Sequence, residues 1–324
     1  MAPRLVELYC GIGGCAAAVA GAADVVAALD VNRVALGVYR ANFDHPAAVC
    51  ALESIRDDDP RLRQADVWWL SPPCQPYTRR GLGRDLDDPR SASLAHLLRV
   101  LERVQPPAVA LENVPGFQGS RAHERLTAIL DRCGYEVAER LLCPTELGIP
   151  NRRRRFYLVA SRAGLAGWQP LAPAPPRPLA EFLDHEIALE LLVEPALVAR
   201  YERAADVVDA DDPEAVAATF TSAYGRSPVR SGSYLRHAPP AGPRRAGTPV
   251  LRLFSPAEIL RLLGFPPGYR LPAELPRENA WRLVGNSLSV PAVREALAAL
   301  PGLATARPPV AAAAAPAARL RSEA

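Results

Sequence analysis

The stretch Val67-Trp68-Trp69-Leu70-Ser71-Pro72-Pro73-Cys74-Gln75-Pro76-Tyr77-Thr78 sets the fold class. Four apolar residues in succession, two of them tryptophan, fit a strand covered on both faces, as the inner strands of a parallel α/β sheet are. In such a sheet the residues just past a strand's carboxyl end line the ligand crevice, so Cys74 is expected there. Pro72, Pro73 and Pro76 fix φ on either side of it and remove backbone donors, which predicts a stiff loop. A single cysteine is more often a small buried apolar residue than a nucleophile, and its surroundings decide between the two.

Upstream, Leu5-Val6-Glu7-Leu8-Tyr9 reads as a strand running into Cys10-Gly11-Ile12-Gly13-Gly14 and then an alanine-rich helix over about 15–21. A glycine turn between strand and helix lets a ligand approach the backbone and offers it helix N–H groups. Residues 25–29 form a second strand ending in Asp30, where a carboxylate accepts hydrogen bonds from ribose hydroxyls. A nucleotide-like ligand is expected. Gly11-x-Gly13-x-x-Ala16 also satisfies the looser dinucleotide fingerprint, so these elements alone place an NAD enzyme slightly ahead. A helix over 34–42 and a strand over 47–52, leading to Glu53, follow.

Downstream, Asp87-Asp88-Pro89-Arg90-Ser91 is a turn feeding a helix to about 104, capped by Ser91 or Ser93. A strand over 107–111 meets Glu112-Asn113-Val114-Pro115-Gly116-Phe117. A carboxylate just off a strand is ordinarily solvated; at the sheet edge that carries Cys74, partial burial would raise its pKa and suit it to give a proton. A helix over 122–133 and a strand over 137–143 lead to Asn151-Arg152-Arg153-Arg154-Arg155 and a strand over 156–160. In an extended segment Arg153 and Arg155 share one face while Arg152 and Arg154 take the other.

From 164 to 178 proline, alanine and glycine dominate, which reads as a hinge. A helix is expected at 195–207, and Ser255-Pro256-Ala257-Glu258 is a helix start with a capping box and Pro at the first position. A last helix runs from Val290-Pro291 to about 300. The expected domains are 1–165 for catalysis and cofactor, 166–250 for a hinge and small target-recognition domain, 251–300 for C-terminal helices returning to the first domain, and a disordered Ala/Pro tail over 301–324.

A chain of 324 residues with 49% hydrophobic content buries a substantial core, and its net charge is a modest +3. All 38 Lys and Arg residues are arginine. They gather locally at Arg79, Arg80 and Arg84, at Arg152 to Arg155, and at Arg226, Arg230, Arg236, Arg244 and Arg245. Guanidinium groups suit phosphate, although a charge run is ordinarily a solvated face, so charge alone leaves nucleic acid open. The six cysteines have neither zinc-site spacing nor the density of a disulfide scaffold, and reduced thiols are expected. With a strand almost at the first residue and no apolar run of roughly 18 residues, the expected location is cytoplasmic, without a leader or membrane span.

Four blocks now stand in one order: Glu7-x-x-x-Gly11-x-Gly13-Gly14, Pro72-Pro73-Cys74-Gln75, Glu112-Asn113-Val114 and Asn151-x-Arg153-x-Arg155, followed by Gly285-Asn286-Ser287. They resemble the C5-cytosine methyltransferases, over nearly all of residues 4–300. Within that family the chain is most similar to the small branch that methylates transfer RNA, through Asp30-Val31-Asn32, Ser71 to Arg79, Leu147-Gly148-Ile149-Pro150-Asn151 and Leu262-Leu263-Gly264-Phe265-Pro266-Pro267. Phe220-Thr221 followed by Tyr224-Gly225 resembles that branch's Cys-Phe-Thr hallmark, with Thr219 in place of the cysteine.

The resemblance implies a Rossmann-like, S-adenosylmethionine-dependent methyltransferase sheet of the α/β class with a small target-recognition domain. It implies that Cys74 adds to C6 of cytosine, that Glu112 protonates N3, and that Arg153 and Arg155 hold the O2 edge. The methyl donor, S-adenosyl-L-methionine, is expected on Tyr9, Gly11, Ile12, Gly13 and Gly14, with Asp30 toward the ribose, Leu52 and Glu53 near the adenine, and Ser71 and Asn286 completing the pocket. This settles the ligand of the glycine turn in favour of the methyl donor. The implied partner is nucleic acid, transfer RNA ahead of DNA, met by a monomer without metal or membrane. A DNA (cytosine-5)-methyltransferase is the alternative, and a nucleic-acid-binding protein without turnover stands behind both.

Overall fold

The computed structural model describes residues 1–78, 84–168, 171, 174–186, 188–201, 204–237 and 250–303. Arg79, Arg80, Arg244 and Arg245, and the tail from 304, lie outside the described residues.

Strands β1 (Arg4–Leu8), β2 (Asp24–Asp30), β3 (Ala47–Val49), β4 (Val67–Leu70), β5 (Ala108–Asn113), β6 (Glu136–Leu142) and β7 (Arg155–Ser161) form one sheet in the order β3-β2-β1-β4-β5-β7-β6. All pairs from β3 to β5 are parallel, and β7 runs antiparallel to both β5 and β6. The apolar run of β4 lacks alternation because helices cover both faces. Val67 and Trp69 enter one core, with α1 (Gly14–Val19) and α2 (Arg33–Arg40). Trp68 and Leu70 enter the other, with α3 (Pro60–Arg63), α4 (Ala92–Val104) and α5 (Arg121–Arg132). Fully burying two indole rings contributes on the order of several kcal/mol, so β4 is well fixed as the floor under the loop that follows it.

Beyond the main sheet come α6 (Pro195–Tyr201) and a small sheet of β8 (Asp206–Asp209), β9 (Ser233–His237) and β10 (Val250–Leu253). The helix expected at 195–207 therefore ends early: Val207 and Val208 pair in parallel with Tyr234 and Leu235, and sheet pairing outweighs continuation of the helix. β10 completes this sheet across the boundary expected at 250. The chain then returns to the main domain through α7 (Pro256–Leu262), α8 (Arg277–Gly285) and α9 (Val290–Leu297), which pack into the same core as α1. The capping box at Ser255 forms, with the Glu258 N–H donating to Ser255 Oγ at 3.1 Å and the Ser255 N–H to Glu258 Oε2 at 2.7 Å. Leu303 is buried, so packing continues past the expected end at 300.

The strand expected over 47–52 is shorter than its apolar pattern, since Leu52–Ser54 makes a 3-10 turn. β5, between β4 and β7, runs longer than expected and carries Glu112 and Asn113 within it. Ser91 stands at the N-cap of α4, yet its hydroxyl donates to the Asp85 carbonyl at 2.7 Å instead of capping.

Candidate active site

The carboxyl ends of β2, β1, β4 and β5 supply the residues that the sequence singles out. At the end of β1, Tyr9 takes a positive φ of 61° and the chain turns through Gly11 and Gly13 into α1. The Gly13 N–H donates to the Cys10 carbonyl at 2.8 Å, and with φ at +88° a Cβ there would sit 2.4 Å from the Phe43 ring, so only glycine makes this turn. Asp30 accepts the Gly11 N–H at 2.8 Å on one oxygen and the Asn32 N–H at 2.7 Å on the other. Burial pushes its carboxyl up while those bonds pull it down. Asp30 thus fixes the turn, and each oxygen keeps a lone pair for a further donor. Ser71 Oγ donates to the Tyr9 carbonyl at 3.0 Å, tying the β4 end to the β1 end.

The C-terminal segment closes on the same turn. Tyr269 donates to the Ile12 carbonyl, and Leu288 crowds Gly14 so closely that a Cβ there would lie 2.8 Å from its own. Asn286, the C-cap of α8, is exposed beside them. Leu52 is buried and Glu53 exposed at the turn after β3. Above Gly11 nothing lies within 4 Å of where a Cβ would stand. An open glycine turn with carboxylates at the neighbouring strand ends fits a nucleoside whose ribose hydroxyls donate and whose substituents lie against the backbone.

Beneath the turn lies a group whose depth the sequence does not reveal. Glu7 is fully buried and accepts the Cys15 N–H at 3.2 Å. Its other oxygen is 3.3 Å from the Tyr39 hydroxyl, itself 3.1 Å from His45 Nδ1. Burial is the main cause that pushes the Glu7 carboxyl up to about 8.

The cysteine loop is held by side chains. Asn113 Nδ2 donates to the Pro72 carbonyl at 3.1 Å, and Asn113 Oδ1 accepts the Val114 N–H at 2.8 Å. The Tyr77 hydroxyl is 3.3 Å from Ser91 Oγ, its ring meets Phe117 edge-on at 4.9 Å, and its carbonyl occupies the place where a Cβ on Gly116 would stand, 2.2 Å away. Cys74 heads the 3-10 turn Gln75–Tyr77 and is half-buried. Burial pushes its thiol up, Arg155 opposes this, Glu112 adds to it, and Arg153 opposes it further.

Glu112 is buried, and Arg155 Nε lies 3.3 Å from its Oε1. Burial raises the carboxyl, with Arg155 and then Arg153 working against it. The reversed direction of β7 makes this meeting possible: Glu112 lies opposite Tyr157 and Asn113 opposite Phe156, so the start of β7 arrives at the end of β5. As expected, Arg153 and Arg155 point inward and Arg152 and Arg154 outward.

The two inward arginines part company in what they touch. Arg153 Nη1 donates to the Phe220 carbonyl at 3.0 Å, and Nη2 donates to the carbonyls of Gly285, at 3.3 Å, and Ser287. Burial pulls its pKa down to about 9, which leaves it charged at neutral pH. Its outer nitrogens are spent on backbone, so Arg153 holds the site's walls, whereas Arg155 faces the carboxyl and the thiol. Asn151 continues the clamp, with Nδ2 donating to the carbonyls of Ala217 and Ala218 at 3.3 and 3.0 Å, and the Thr219 hydroxyl donates to the Arg152 carbonyl. The anchoring roles of Asn113 and Arg153 depend on partners far away in sequence, so no local signal marks them.

The profile of the C-5 cytosine-specific DNA methylases matches residues 3–190. A tRNA (cytosine(38)-C(5))-methyltransferase of Mus musculus is 31% identical, over 92% of this chain and 93% of that protein. Among solved structures, the S. pombe Dnmt2 methyltransferase superposes with a TM-score of 0.79 at 30% identity, over 92% of this chain and 97% of its own. The Entamoeba histolytica methyltransferase EhMeth does so with a TM-score of 0.82 at 25% identity, over 94% and 98%. With a thiol, a buried carboxyl and an arginine meeting one strand away from an open glycine turn, and with these matches along its length, the chain belongs to the C5-cytosine methyltransferase family.

Proposed function

We propose that this protein methylates C5 of cytosine in transfer RNA through a covalent bond between Cys74 and C6. The observation that carries the reading is the grouping of Cys74, Glu112 and Arg155 at the carboxyl ends of β4 and β5, beside the turn at the end of β1. C5 of cytosine is a poor nucleophile until electrons enter the ring, and a thiolate adding at C6 supplies them. Arg155 favours the thiolate, and Glu112, whose carboxyl burial raises against the pull of Arg155 and Arg153, gives a proton to N3 as the ring takes up charge. Arg155 then steadies the O2 edge, while Arg153 keeps the surrounding carbonyl-bearing segments in place. S-adenosylmethionine, when bound, supplies the methyl group that C5 accepts. Tyr9, the turn from Gly11 to Gly14, Asp30, Leu52, Glu53, Ser71 and Asn286 would hold it. The C5 proton then passes to solvent, the Cys74 thiolate is expelled as N3 returns its proton to Glu112, and release of the product and S-adenosylhomocysteine restores the enzyme.

C6 is shielded in a stacked helix, so the target base must be extruded or already unpaired, as in an RNA loop. Relatives named for transfer RNA are 31% and 30% identical, against 26% for one named for DNA over similar coverage, which supports RNA over DNA. A relative from Dictyostelium discoideum named DNA (cytosine-5)-methyltransferase, 26% identical, keeps DNA as the second reading. The small sheet β8 to β10 is assigned to target recognition. Six unpaired cysteines support a reducing compartment, the cytoplasm, and among the described residues no helix is long and apolar enough to cross a membrane.

The test is transfer of labelled methyl groups to total small RNA and to duplex DNA by wild type and Cys74→Ala. Label in RNA that vanishes in the variant is expected. Label in DNA alone overturns the RNA assignment, and label in neither overturns the reading.

A further inference from the structure

Downstream of the cysteine loop, Asp85 takes a left-handed φ of 51° that L residues other than Asn and Asp seldom adopt. The strained backbone serves a long-range contact. Asp85 sends its carboxylate to α5, where Oδ2 accepts the Arg121 N–H at 2.5 Å and Oδ1 the Ala122 N–H at 3.2 Å. Arg121 answers with Nη1 on Asp87 Oδ2 at 2.7 Å. The α5 N-terminus already has its own cap, since Ser120 Oγ accepts the His123 N–H at 3.2 Å, so Asp85 satisfies donors that water would otherwise reach.

Asp85 is also joined to the cysteine loop. Its carbonyl accepts from Ser91 Oγ at 2.7 Å, and that oxygen lies 3.3 Å from the Tyr77 hydroxyl. On the other side, α5 follows directly from β5 and the turn Pro115–Phe117, which carry Glu112 and the residues that cradle Tyr77. One residue therefore bolts Tyr77 of the cysteine loop, through its carbonyl and Ser91, to the segment leading away from Glu112, through its carboxylate.

We propose that Asp85 is a positioning residue that sets Cys74 relative to Glu112 and Arg155; its consequence for turnover rests on the methyl-transfer reading above. Three variants separate backbone from carboxylate. Asp85→Asn keeps the left-handed tolerance and one acceptor, Asp85→Gly keeps the backbone and loses both acceptors, and Asp85→Ala loses acceptors and tolerance together. The expected kcat falls by about ten-fold or more in Asp85→Gly and further in Asp85→Ala, with Asp85→Asn between Asp85→Gly and wild type. The dissociation constant for S-adenosylhomocysteine stays within about two-fold, because the glycine turn is untouched.

Alkylation of Cys74 by iodoacetamide against pH, followed by mass spectrometry of its peptide, needs no nucleic acid. Its midpoint is expected to move by about half a pH unit or more in Asp85→Gly, since Arg155 and Glu112 act on the thiol through distance. If Asp85→Gly or Asp85→Ala fails to fold, Asp85→Asn carries the same measurements. An unmoved Cys74 midpoint, or a kcat that changes only as the folded fraction changes, overturns the proposal. A moved midpoint in a protein that methylates neither RNA nor DNA sinks the methyl-transfer reading and leaves the positioning role standing.

Discussion

The glycine turn after β1 and the cysteine loop after β4 lie on neighbouring strands and open on the same crevice, yet they are built in opposite ways. The turn is made by removing side chains: backbone at Gly11 is bare, Gly13 has no room for a Cβ, and Asp30 holds the loop through the Gly11 N–H from outside. The loop is made by adding constraints: three prolines, Asn113 on the Pro72 carbonyl, and Tyr77 wedged between Ser91 and Phe117. A ligand that lies along backbone needs space, whereas an atom that must attack a ring needs a fixed position. The two designs predict that damage to the turn appears in donor affinity and damage to the loop in turnover.

The sharpest separation comes from Cys74→Ala, which should lower kcat by roughly three orders of magnitude or more while the donor dissociation constant, measured by calorimetry, stays within about two-fold of wild type. Next, Gly116→Ala drives a Cβ against the Tyr77 carbonyl and should cost roughly ten- to a hundred-fold in kcat. A comparable loss of donor affinity in that variant would break the comparison. In the other direction, Asp30→Ala frees the Gly11 N–H and should weaken donor binding by about ten- to a hundred-fold, with turnover at saturating donor nearly intact. Equal affinity for Asp30→Ala and wild type would remove Asp30 from the donor site.

The smallest effect concerns Glu7. Its carboxyl holds a proton more tightly in the folded chain, at about 8 against an ordinary 4.5, so its contribution to stability is fully present below 4.5 and is lost as pH rises through about 8. Asp30, also raised by burial, has the same sign. The wild-type Tm should therefore drop across this window by a few degrees more than that of Glu7→Gln. Parallel slopes would show that Glu7 does not titrate there.

Those parts of the molecule that depend on neighbours in sequence are legible from the residues alone. The double-tryptophan run is apolar at every position because both faces of β4 are covered, and the Ser255 box announces α7 with its own side chains. The inward and outward arginines follow from the two-residue period of extended chain. What stays hidden is set by pairing across the fold. Nothing in Glu112-Asn113-Val114 says that Asn113 will reach the Pro72 carbonyl 41 residues away, or that β7 will enter the sheet reversed. Arg153 and Arg155 look interchangeable in sequence, and only the distant carbonyls that surround one of them separate a wall tie from a group facing the thiol. Val207 closes the helix expected at 195–207, but a partner strand claims it.

The three carbonyls around the Arg153 guanidinium also order events in time. They belong to residues 67, 132 and 134 positions further along, and the last, Ser287, stands late in a chain of 324. Loops of that span close slowly and a growing polypeptide settles from its amino end, so a ribosome can release the whole parallel sheet while the crevice is still ajar. The crevice is walled in only once Ser287 has been made.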